Sequence, residues 1–242
     1  MKKLVILAIF FNSIVLSAQS LEGSWKLVEE NGKEITDKEI IRIYQDNYFA
    51  EAAKELASRE FLWALGGEYD YSNGDYTATQ DFNTKLPEAI GDTRDPKLTF
   101  QGDNKIKINE VKEVQVWEKI SDSENSLNGN WVITGRKRDG KIDKMKPGDR
   151  RTIKILGGDR FQWVAFNSAT KEFYGSGAGT YSAENGKYTE NIEVFSRDNN
   201  RVGAKLGFDF QLKDGQWHHS GKSSKGDPIY EIWSPYASAY SK

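Results

Sequence analysis

The chain of 242 residues contains no cysteine. It therefore has no disulfide, no thiolate metal site, no cysteine nucleophile and no cysteine for lipid attachment. Histidine is almost as scarce, with two residues, and neither sign of charge dominates: 34 basic side chains against 36 acidic ones give a formal net charge of −2. Nothing in that balance attracts nucleic acid. Long apolar runs are missing as well, except at the start. There Lys2 and Lys3 precede the stretch Leu4 to Phe11 and Ile14-Val15-Leu16, followed by small residues. That order is the pattern of a secretory signal over residues 1–20, and it is too short for a spanning helix, which needs roughly 20 apolar residues. The mature chain is read as soluble and exported, periplasmic or extracellular, with no transmembrane anchor and with cleavage after Ala18 or Ser20.

What the chain has in quantity is aromatic residues, 7 Trp, 11 Tyr and 12 Phe, each able to bury a large area in a core that no disulfide reinforces. It also repeats itself. Leu21-Glu22-Gly23-Ser24-Trp25 returns as Leu127-Asn128-Gly129-Asn130-Trp131, and Ile41 to Phe100 can be laid on Ile153 to Leu212 without a gap, at a constant offset of 112. Phe49 meets Phe161, Phe61 meets Phe173, Gly67 meets Gly179, Tyr69 meets Tyr181, and Tyr76 meets Tyr188. The reading is a signal over 1–20, one unit over 21–120, a polar linker over 121–126 and a second unit over 127–242.

Alternation with a period of two dominates both units. Its clearest example is Val202, Ala204, Leu206, Phe208, Phe210 and Leu212, interleaved with Gly203, Lys205, Gly207, Asp209 and Gln211, a strand with one dry face. Eight strands are expected in the second unit, with hairpin turns at Gly157-Gly158-Asp159, Asn185-Gly186 and Asp214-Gly215. Gln45-Asp46-Asn47, Asn73-Gly74 and Gly102-Asp103-Asn104 are their counterparts in the first. Ala50 to Ala57 has helix-forming composition, but the gapless match to Gln162–Ala169 reads it as strand and loop. Antiparallel strands joined by short turns, apolar on one face, close most simply into a barrel. The expected fold is all-β, with two tandem up-and-down antiparallel barrels of about eight strands each.

The paired Gly-x-Trp segments, Gly23-Ser24-Trp25 and Gly129-Asn130-Trp131, look like the first-strand motif of lipocalins. Val116-Trp117-Glu118-Lys119 and Ile232-Trp233 resemble the closing strand of small bacterial lipocalin-like domains of calycin type. The resemblance covers both units and implies barrels able to hold a small ligand. The chain departs from lipocalins in lacking disulfides, in having two units, and in carrying Lys119 and Ser234 where a closing-strand Arg is expected.

Chemistry-bearing residues are few. His218 and His219 are strand neighbours, so they point to opposite faces and cannot jointly hold one metal. His219 shares a face with Trp217 and can enter the barrel, where the plain reading is a core histidine satisfied by a neighbour. Gly175-Ser176-Gly177-Ala178-Gly179 lacks the strand-to-helix context of a phosphate loop or a nucleophile elbow. Glu190 alternates with Tyr188, Ile192 and Val194 on the expected inward face, where the first unit has Ala78. A carboxylate there is either hydrogen-bonded in the core or a polar anchor for a ligand. If Phe173, Gly175, Gly177, Gly179 and Tyr181 share one face, the glycines leave room that the first unit fills with Trp63 and Leu65. That room would be lined by Trp163, Tyr181, Phe208, Phe210 and Trp217, with Glu190 as its polar handle.

The sequence thus reads as an exported binder of a small apolar or amphipathic molecule, chiefly in the second barrel, with no catalytic residues, metal or cofactor. The alternative is a structural or interaction module with filled barrels, whose partner would be another extracytoplasmic protein. An enzyme is the least supported class, because no constellation has the required spacing. N-terminal sequencing of exported protein should give a start between Gln19 and Leu21; Met1 retained on protein from the periplasm or medium would refute the export reading.

Overall fold

The computed structural model describes residues 19–72, 74–223 and 226–240; most of the expected signal lies outside them. The first half contains β1 (Gly23–Glu30), β2 (Lys33–Glu34), β3 (Lys38–Gln45), β4 (Tyr48–Glu55), β5 (Phe61–Ser72), β6 (Asp75–Asn83), β7 (Thr93–Arg94), β8 (Lys97–Phe100), β9 (Lys105–Asn109) and β10 (Val114–Ser121). The second contains β11 (Gly129–Arg138), β12 (Lys141–Lys144), β13 (Arg150–Gly157), β14 (Arg160–Asn167), β15 (Glu172–Glu184), β16 (Lys187–Phe195), β17 (Lys205–Lys213), β18 (Gln216–Lys222) and β19 (Pro228–Pro235), then α1 (Tyr236–Ala239). All pairings are antiparallel. Among the described residues no helix is long and apolar enough to cross a membrane.

The all-β, two-unit reading holds, and the eight strands expected in the second half are all present, β12 being an added hairpin arm. In that half β11 pairs with both β13 and β19, which closes the barrel. The first half is different. Its sheet runs β7-β6-β5-β4-β3-β1-β10-β9-β8, curled but not joined between its edge strands. Pro87 and Pro96 interrupt the chain here, and proline cannot donate to a ladder. They leave a two-residue β7 and a four-residue β8 where the second half has the nine-residue β17. The expectation of two closed barrels is therefore met in full only by the second.

The repeat extends to irregularities. Register shifts fall between Ala53 and Lys54 against β5, and between Ala165 and Phe166 against β15. A second pair falls at Gly66/Gly67 and Ala178/Gly179. These bulges keep the offset of the sequence match, since Gly67 stands to Gly179 as Phe49 stands to Phe161. Each opening tryptophan also turns its indole back on its own motif: Trp25 Nε1 donates to the Leu21 carbonyl at 2.7 Å and Trp131 Nε1 to that of Leu127 at 2.9 Å. Lys119 holds its ammonium 5.1 Å from the Trp25 ring centre, a cation–π contact at the place where an Arg was expected.

The two halves share a core. Ile43, Tyr48, Ala50, Ala64 and Phe82 pack against Val132, Ile153, Ile155, Val164 and Phe166. These residues lie on outer sheet faces that a solitary barrel would show to water. Phe82 and Phe166 rings lie 4.9 Å apart, and Phe61 stacks on Phe173 at 6.0 Å with an interplanar angle of 3°. Polar links frame the contact. Arg151 reaches Asp81 at 2.6 Å, Gln162 donates to the Glu51 carbonyl, Asp46 accepts from the Asn130 amide, and Tyr236 donates to Glu68. The Ala-rich stretch is explained here. β4 is buried on both faces from Tyr48 to Ala53, and alanines let two sheets approach, so burial overrides helix propensity.

Because the halves share this core, they should unfold together. Phe82→Ala should cost about 3–5 kcal/mol and leave a single denaturant transition, seen alike by tryptophans of either half; two separable transitions would contradict the shared core.

Candidate functional site

β13 places Thr152, Lys154 and Leu156 inside the second barrel, because Ile153 and Ile155 on its other face are taken up by the first half. A lysine thereby enters an aromatic interior. Lys154 Nζ stands 5.3 Å from the ring centres of Tyr188 and Trp217 and 5.4 Å from that of Trp233. Such a charge needs a partner. Glu190 on β16 supplies it at 2.7 Å and also accepts from the Tyr188 hydroxyl at 3.0 Å. Burial, then the Glu190 charge, push the Tyr188 hydroxyl well above its usual pKa.

Above this pair the barrel opens into a cavity of about 650 Å³. Its apolar wall includes Trp163, Ile192, Phe195, Leu206, Phe208 and Ile229, and Trp233 contributes from the closing strand. The opposite end is closed by Leu127, Trp131 and Tyr181, where Asn125 Nδ2 donates to the Tyr181 hydroxyl at 2.6 Å.

Of the residues singled out in the sequence, Trp163, Glu190, Phe208 and His219 line this cavity together. Tyr181 and Trp217 are buried in the barrel core, and Phe210 packs on that core, but these three do not line the space. The glycines do not line it either. Phe173 and Tyr181 prove to lie on opposite sides of the sheet: Phe173 packs at the contact between halves and Tyr181 inside the barrel. The bulge at Tyr174, which Phe166 and Ala165 straddle by pairing with Phe173 and Gly175, shifts the parity between them.

What the glycines admit is protein. A Cβ at Gly177 would sit 2.4 Å from Trp163 Nε1, one at Gly175 would sit 2.7 Å from Arg197 Nε, and one at Gly179 would sit 1.9 Å from the Asn191 carbonyl oxygen. The last is a backbone approach that only glycine allows, and Gly67 repeats it at 1.9 Å from the Thr79 carbonyl. Nor is the first unit filled. Trp63 and Leu65 line a cavity of about 310 Å³, with Arg42 and Glu51 among its walls.

The offset shows how the interiors diverged. Arg42 occupies the position of Lys154, and each buried cation has a carboxylate from a different strand. Arg42 is held by Glu51 on β4, with Nε at 3.0 Å and Nη2 at 2.6 Å, and its Nη1 donates to Tyr44 at 3.0 Å. Glu51 also accepts from Trp63 Nε1 at 2.9 Å. In the second half the place of Glu51 is Trp163, the place of Trp63 is Gly175, and the acid appears instead at Glu190. Lys154 went unnoticed in the sequence because Ile153 and Ile155 advertise the opposite face. The match to Arg42 was its one available signal.

His218 and His219 do face opposite ways. His218 Nδ1 is 2.8 Å from the Tyr230 hydroxyl, whereas His219 is 2% exposed, stacked on Trp217 at 5.2 Å and set edge-on to Phe208 at 4.3 Å. Neither ring nitrogen of His219 has a hydrogen-bond partner among the described residues. The nearest carboxylate oxygen, Glu231 Oε2, is 4.0 Å from Nδ1, while Glu231 Oε1 takes Arg136 at 2.6 Å. Burial, aided by the charge on Lys154, holds the imidazole well below its usual pKa and so neutral. Among the described residues no cluster of acidic and histidine side chains could hold a metal.

No family model matches the chain, and no curated protein matches it. The class is defined by the architecture alone: an all-β chain with a closed barrel and a curled sheet, consistent with a calycin-like fold.

The Lys154–Glu190 pair gives a direct test of the interior. Lys154→Met or Glu190→Gln alone should each cost about 3–5 kcal/mol by stranding a buried charge. The double variant should lose far less, since the amide oxygen introduced at position 190 would still accept from Tyr188; urea denaturation of the four proteins measures the coupling.

Proposed function

We propose that this chain is an exported lipocalin-like protein that binds a small apolar or amphipathic molecule, chiefly in its second barrel. The observation that carries the reading is the open cavity of about 650 Å³, within the size range of small-molecule sites. Its composition supports the same reading. Aromatic and aliphatic walls offer an apolar body a dry surface, and a few polar groups at the base, Lys154–Glu190, His219 and Arg136–Glu231, can fix its orientation. The smaller space in the first half has Arg42, Glu51, Lys85, Arg94, Glu110 and Glu113 among its walls, so it offers an apolar molecule less. Export is supported by the leader's order of basic, apolar and small residues.

Native mass spectrometry of protein purified without detergent should reveal a bound small mass or, after loading with an apolar fluorophore, a one-to-one complex. Leu206→Trp should fill the cavity and abolish capture, with a stability change of no more than about 1–3 kcal/mol. Leu65→Trp, in the first cavity, should leave capture intact. Loss of capture with Leu65→Trp and retention with Leu206→Trp would move the site to the other half.

A further inference from the structure

The base of the second cavity contains hydrogen-bonding groups that the protein itself leaves unused. Among the described residues, His219 is 2% exposed with both nitrogens unpartnered, and Trp233 is 3% exposed with its Nε1 likewise lacking an acceptor. Both side chains line the cavity. Buried polar groups in folded proteins are nearly always satisfied, and exceptions grouped in one cavity call for a missing partner. A partner for an indole N–H must be an acceptor, and a neutral imidazole can donate to that same acceptor.

The charges around the cavity decide which acceptor. Its three carboxylates are each matched by a base: Glu190 with Lys154 at 2.7 Å, Glu231 with Arg136 at 2.6 Å, and Asp198 with Arg201 at 3.5 Å. Arg197 remains as a fourth base in the lining. The surplus is positive, which favours an anion over a cation. The walls decide the rest. Trp163 and Phe195 meet edge to face at 5.7 Å, and with Phe208 and Trp233 they form a surface suited to a flat ring system.

From this geometry we infer that the cavity takes a planar aromatic molecule bearing a carboxylate, whose oxygens are received by His219 and the Trp233 indole N–H. The inference rests on the second cavity being the binding site. It also makes His219 a proton-coupled anchor. The groups acting on its ring are Lys154 on β13, Tyr188 on β16, and Glu231 on β19 beside Arg136 of β11. A carboxylate at the ring favours the imidazolium that burial and Lys154 suppress. Binding should therefore be linked to proton uptake by His219, the more so as the pH falls.

The test is calorimetric titration of the full chain with 2-naphthoate, naphthalene-2-methanol and naphthalene-2-methylamine, each in two buffers of different ionisation enthalpy. The expected result is 2-naphthoate binding about tenfold or more tightly than either other probe, with net proton uptake for it alone. His219→Phe should level the alcohol and the acid. Equal affinity for the three probes, preference for the amine, or preference for the acid without proton uptake would overturn the inference while leaving the cavity reading in place. Failure of every probe, together with no captured mass in native spectra, would remove the cavity reading itself. If His219→Phe does not fold, the ranking and the proton count on the unaltered protein still decide.

Discussion

The structure depends on the packing of one outer sheet face against another. Ile43, Tyr48, Ala50 and Phe82 cover Ile153, Ile155, Val164 and Phe166, so strands β3, β4, β13 and β14 are dry on both sides. An isolated barrel needs only one apolar face per strand. Once the second face is also buried, the inside need not carry all the apolar residues, and charged groups can be placed there with partners. Arg42 and Lys154 both sit on strands whose neighbouring residues are claimed by the contact between halves. The contact thus sets the inward parity of the strands that hold the two buried cations.

The two interiors show how duplication relaxes constraint. A buried cation demands a nearby carboxylate, but it does not dictate which strand supplies one. The first half uses Glu51 and braces it with Trp63; the second uses Glu190 and braces it with Tyr188. With its acid on β16, β14 was free to carry Trp163, and Gly177 gives that indole room. Exchanging one carboxylate for one indole altered the inner surface, and the cavities now measure about 310 and 650 Å³.

Much of the fold was legible because it is written in local terms. Asn185-Gly186 and Asp214-Gly215 adopt the left-handed backbone their residue types favour, and alternation marked β17. The duplicated Gly-x-Trp located each opening strand. What could not be read was anything that depends on which face is covered by what. The bulge at Tyr174 shifts the parity of β15, and no residue type announces it. Ile153 and Ile155 look like core and are core, but of the contact between halves, so Lys154 was hidden between them. The seam in the first sheet escaped notice because Pro87 and Pro96 interrupt strands that the aligned second half completes. For the cavity, Trp163, Glu190, Phe208 and His219 were found through alternation, whereas Arg136 and Glu231 line it from outside the gapless match, and Arg197, which the match lays on Lys85, sits beyond the alternating run of β16.

Helix α1 reaches back to the first half: the Tyr236 ring lies 5.0 Å from that of Tyr48, and its hydroxyl donates to Glu68. During synthesis Tyr48 and Phe82 therefore emerge long before the residues that cover them. Until β13, β14 and Tyr236 arrive, the first sheet presents an uncovered apolar face, a feature that invites association with other chains. Its complementary sheet is encoded on the same molecule, so the rescue is intramolecular and independent of concentration. Covering that face is in this sense a folding step of the chain as a whole, since neither sheet completes the shared cluster without the other.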